Sequence, residues 1–72
     1  MDNIDIRKYI ISNFKEDEEQ DIRKSVEESV NSNEDDPLLG LGVFFELLWK
    51  NSNEDIKKTI ISTIANSIKA TN

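Results

Sequence analysis

The stretch from Leu38 to Trp49 most limits what this chain can become. Nine of its twelve residues are large and apolar, and the only charge inside it is Glu46. A bilayer crossing needs about twenty residues, so this is the signature of a buried helix, not a membrane span. Asp36-Pro37 just before it reads as an N-cap followed by proline at the first helical position. A helix from Pro37 to about Lys50 would be apolar over roughly 240° of its circumference, against about 100° for an ordinary surface helix. Such a helix must be surrounded. Glu46 and Lys50 mark its one wet side, at the spacing of an i,i+4 ion pair.

The remaining segments read as its cover. Ile6, Ile10 and Phe14 recur every fourth residue, with Tyr9 and Ile11 beside them, and predict a helix from about Asn3 to Phe14. Asp2 or Asn3 is its expected cap, with Asp5 in the first turn. A second helix is expected from about Asp17 to Asn31. Its apolar stripe is thin, only Ile22, Val26 and Val30, and carboxylates crowd its start. After a loop and the central helix, Ser52-Asn53-Glu54-Asp55 has the spacing of a capping box. It opens a fourth helix in which Ile56, Ile60, Ile64 and Ile68 form a stripe widened by Ile61 and Ala65, fraying near Ala70. The expectation is an all-α fold: one domain over residues 1–72, a small four-helix bundle with the mostly apolar third helix at its centre.

Composition then removes whole classes of function. There is no cysteine and no histidine, so disulfides, thiolate sites, the commonest metal ligand and the commonest general base are all absent. Serines and threonines have no base beside them to make a nucleophile, which argues against an enzyme. Asp35, Gly40 and Glu46 fall at calcium-loop positions one, six and twelve, but Pro37 and Leu39 occupy positions that must donate side-chain oxygens. The run Glu16 to Asp21 is read as a solvated helix start. Neither metal nor cofactor is expected. No signal-peptide pattern opens the chain, so a cytoplasmic, soluble protein is expected.

The net charge is −6, and it is uneven: residues 1–15 sum to +1, residues 16–36 to −8 and residues 37–72 to +1. Three basic pairs, Arg7-Lys8, Arg23-Lys24 and Lys57-Lys58, raise nucleic-acid binding as an alternative, but no aromatic residues interleave with them and the net charge opposes it. A protein of 72 residues lies near the lower limit for a self-sufficient core, and with disulfides and metal gone, self-association is the remaining source of stability. Gly40 and Gly42, each costing up to about 1 kcal/mol against alanine inside a helix, fit either an irregular helix start or close approach of another backbone. Together with Leu41, Phe44, Phe45 and Trp49 they form the candidate interaction surface, and a two-fold homodimer is the expected assembly.

The run Leu41-Gly42-Val43-Phe44-Phe45-Glu46-Leu47-Leu48-Trp49-Lys50-Asn51 resembles the signature of the small acid-soluble spore protein I family: Gly-Leu-Gly-Val, an apolar residue, Phe-Glu, two aliphatics and Trp. Ile6 to Asn13 is similar to that family's N-terminal helix. One position departs: the family commonly has proline directly before the first glycine, where this chain has Leu39, its own proline being Pro37. The resemblance implies a non-enzymatic protein of the developing spore, with a structural or protein-interaction role in the forespore or spore core. It implies no catalytic or binding residues, and it is distinct from the DNA-coating α/β-type spore proteins. A protein partner in the spore is a further expectation; weak nucleic-acid binding in the spore core is the alternative.

Overall fold

A computed structural model describes residues 5–71. Four helices follow in order: α1 (Ile6–Asn13), α2 (Glu19–Asn31), α3 (Pro37–Lys50) and α4 (Glu54–Ala70). No strand occurs among the described residues. The all-α expectation holds.

Local hydrogen bonding sets where each helix begins. The caps expected at Asp2 or Asn3 fall outside the described residues. The helix described begins later, because Asp5 is extended and its carboxylate accepts the Lys8 backbone N–H at 3.1 Å. Asp5 is therefore the cap and not a first-turn residue. Helix α2 starts at Glu19 instead of Asp17, with the Glu18 backbone N–H donating to Asp21 Oδ2 at 3.1 Å. Asp21 then also lies in the first turn, where the positive end of the helix dipole favours it.

Two expected caps are corrected. Asp36 has helical backbone angles and its side chain makes no capping bond, so Pro37 alone marks the entry to α3. At α4 the cap is Asn53, whose side chain accepts the Ile56 N–H at 2.9 Å. Ser52, the expected cap, instead donates its hydroxyl back to the Leu48 carbonyl. The short turn between α3 and α4 thus uses one side chain to close the first helix and the next to open the second.

Helices α1 and α2 both pack along α3, whereas α4 makes no comparable packing with any other helix. Phe14, the C-terminal cap of α1, meets Phe44 of α3 edge-to-face, with ring centroids 5.0 Å apart and planes at 72°, a favoured aromatic geometry. Val43, 6% exposed, is the one buried residue among those described. The radius of gyration is 14.0 Å, against about 11 Å for a compact domain of this length. The chain is more open than a closed bundle because α4 does not fold down onto the other three.

Because Val43 is the most buried of the described residues, Val43→Asp should abolish the cooperative thermal transition followed by circular dichroism. Tyr9→Gln, at a position 65% exposed, should change stability by less than about 0.5 kcal/mol. Equal effects of the two would contradict this placement of the core.

Candidate functional site: an apolar interaction surface

What α1, α2 and α4 leave uncovered on α3 is extensive. Leu38 (60% exposed), Leu39, Phe45 (40%), Leu47 and Leu48 all reach solvent. The three outer helices therefore do not wrap α3. Leu38 and Leu39 border a separate cleft; Phe45, Leu47 and Leu48 line a groove of about 620 Å³ whose other walls are Ile11 of α1, Phe14 at its C-terminal cap, Ile22 and Val26 of α2, and Leu41 and Phe44 of α3. Lys15 is the only charged residue at its edge, and no residue of α4 lines it. Isolated exposed leucines are ordinary on a protein surface; a contiguous apolar groove marks an interaction site.

The expected interaction residues divide between faces. Leu41, Phe44 and Phe45 all line this groove. Trp49 does not line it but stacks on Phe45, with centroids 6.0 Å apart and planes at 24°. The Lys57 ammonium from α4 sits 5.1 Å from the Trp49 ring centroid, a cation–π contact. The two glycines, two residues apart, point to opposite sides of α3. Gly40 borders a cleft with Ile10 and Asn13, and Gly42 borders another with Ile6 and Arg7. A Cβ at either would meet nothing within 4 Å, so no neighbour in this chain requires glycine there.

Sequence reasoning left out the groove walls on α1 and α2, and it did not foresee that the α4 isoleucines would stay in water. Ile56, Ile61, Ile64 and Ile68 are all exposed, Ile68 to 68%. The four-residue period of Ile56, Ile60, Ile64 and Ile68 was visible, and of these only Ile60 is half-buried. What was hidden was that α4 meets its own chain only around Lys57 and Ile61, the latter sharing a cleft with Phe45 and Trp49.

The polar side of α3 also differs from expectation. Glu46 is paired not with Lys50 but with Arg7, thirty-nine positions away, through two parallel bonds: Nε to Oε1 at 2.6 Å and Nη2 to Oε2 at 2.8 Å. Hydrogen bonding by the Arg7 guanidinium holds the Glu46 carboxyl below the usual carboxylate range, with the charges of Arg7 and Lys50 acting the same way. The same pairing raises Arg7 above its ordinary value. This fork-to-fork bond fixes α1 against α3 in one register. It also occupies Arg7, while Lys57 lies over Trp49 and Arg23 pairs with Glu27 at 3.2 Å. One member of each basic pair is thus engaged within the chain. Among the described residues no cluster of His, Cys, Asp or Glu could hold a metal ion, and no helix is long and apolar enough to cross a membrane.

The family of small, acid-soluble spore protein I matches residues 4–68. This chain belongs to that family. A relative from Halalkalibacterium halodurans with that name is 33% identical over 67 residues, covering 93% of this chain and 98% of the relative. Relatives of the same name from Bacillus cytotoxicus and Bacillus mycoides are each 27% identical over 67 residues, covering 93% of this chain and 96% and 97% of their own lengths. No solved structure matches the chain. The match takes in α1, α2, α3 and most of α4, so the groove and the unpaired isoleucine face both lie within the family region.

The Arg7–Glu46 pair yields a pH prediction. Because the folded pKa of Glu46 is depressed, the pair's contribution is fully present above the ordinary glutamate value of about 4.3 and fades as pH falls through the lower folded value. Both partners are exposed, so the effect on stability is small and is best read at the carboxyl itself. Arg7→Gln should raise the Glu46 pKa toward the ordinary range in an NMR pH titration. An unchanged value would show that Arg7 is not the cause.

Proposed function

We propose that this spore protein is a non-enzymatic structural or protein-interaction component of the spore interior, made in the forespore, and that it acts as a homodimer joined through the apolar surface of α3. The observation that carries this reading is surface area. The chain exposes 6364 Å², whereas a compact monomer of 8.3 kDa exposes about 4,600 Å². The excess is roughly twice the ~800 Å² that a standard interface removes from each partner. Pairing two copies would hide the apolar part of it, and a two-fold arrangement is the default for identical chains.

Family membership supports the setting and the absence of any nucleophile–base pair supports a non-catalytic role. Binding of nucleic acid is the weaker alternative. It would rely on Arg7, Lys8, Lys57 and Lys58, of which Arg7 and Lys57 are already engaged, in a chain of net charge −6. A gel shift at low ionic strength, where phosphate contacts are strongest, would reveal it.

Light scattering at high micromolar concentration should give twice the chain mass. Phe45, exposed and on the rim of the groove, is the position to alter: Phe45→Glu should yield a helical monomer, because the side chain is at an interface and not in a core. A wild-type mass of one chain would overturn the dimer. A fluorescent fusion should appear in forespores; one confined to vegetative cells would overturn the assignment to the spore interior.

A further inference from the structure

We propose that the groove between α1, α2 and α3 receives α4 of a second copy, so that the two chains exchange their C-terminal helices reciprocally. This rests on the self-association reading and specifies the contact that makes it. Two unpartnered apolar surfaces exist in the chain. One is the groove of about 620 Å³, which no α4 residue lines. The other is the α4 face carrying Ile56, Ile61, Ile64 and Ile68. On α3 the groove runs from Leu41 to Leu48, about 11 Å of helix, so it seats about two turns of α4. A concave apolar groove and an amphipathic helix whose exposed isoleucines recur at three- to five-residue spacing are the two halves of a helix-in-groove contact.

The match is apolar and not one of charge: Lys15 is the charged residue at the groove, and α4 sums to only +1, Lys57, Lys58 and Lys69 against Glu54 and Asp55.

The turn explains why the occupant is a second copy and not the chain's own α4. Asn51 Nδ2 donates to the Leu47 carbonyl at 2.8 Å, Ser52 Oγ donates to the Leu48 carbonyl, and Asn53 caps α4. Those bonds are each local to one helix end; Lys57 held over Trp49 is the contact that sets the direction in which α4 leaves α3. Folding α4 down into its own groove would pull Lys57 away from Trp49. Exchange between two copies keeps that contact and fills both grooves. Short, constrained connections favour this kind of swap.

The chain has no cysteine, so introduced thiols report unambiguously. Val26→Cys chains (groove wall) are mixed with Ile64→Cys chains (α4 face) and oxidised mildly, with Ile22→Cys and Ile68→Cys as a second pair and circular dichroism to verify folding. The Val26→Cys/Ile64→Cys double variant and the wild-type mass are measured alongside. The proposal expects a wild-type dimer, and in the mixture a disulfide-linked heterodimer that predominates over either homodimer. A wild-type dimer whose mixed variants give no heterodimer overturns the α4 seat and leaves self-association standing. A double variant that closes a disulfide within a monomer overturns it in favour of the chain's own α4. A wild-type mass of one chain overturns both readings.

Discussion

The structure depends on one imbalance. Helix α3 is apolar around most of its circumference, and the helices available to cover it are short, thinly apolar or held away. Burial of apolar surface contributes about 25 cal/mol per Å², so a helix of this composition is stable only to the extent that something lies against it. Within one chain, α1 and α2 shield the side that holds Val43 and Phe44. Helix α2 brings only Ile22, Val26 and Val30, and of these Val30 is itself exposed. The fourth helix has the broadest apolar stripe of the three, yet it meets α3 only around Phe45 and Trp49. The open groove is the arithmetic result.

Much of the secondary structure was legible because it follows from local rules. Four-residue periods placed α1, α2 and α4, the apolar run after Pro37 placed α3, and its stop at Lys50 was read correctly. The errors cluster where two adjacent residues have the same capping chemistry. Ser52 and Asn53 can each accept an N–H, and only the geometry of the turn decides that Asn53 faces Ile56 while Ser52 turns back to Leu48. Asp36 has the right chemistry for a cap but adopts helical angles, so its carboxylate is carried away from the free N–H groups. Such one- or two-residue choices are set by the path of the chain, which spacing does not encode.

The candidate surface was legible in part. An over-apolar helix in a short chain implies leftover surface, and Leu41, Phe44 and Phe45 do share one groove. Other features depended on tertiary arrangement and left no local trace. Arg7 and Glu46 are neighbours only because α1 lies across α3, and the bidentate fork outcompetes the i,i+4 partner Lys50, which offers a single mobile ammonium. Likewise, the isoleucine stripe of α4 looks the same in sequence whether it is packed or free. Membership in the small, acid-soluble spore protein I family supplies the setting, and the unfilled groove supplies the physical problem that a protein of this family must resolve there.

The central claim is that a second copy covers the apolar surface this chain leaves open, and it ties stability to concentration. If folding and pairing are coupled, the thermal midpoint must rise with protein concentration by mass action. Midpoints from circular dichroism across a hundredfold range of concentration are the direct measurement. The account predicts a steady upward shift. A midpoint independent of concentration would contradict it and would mean that the single chain is stable with its groove open.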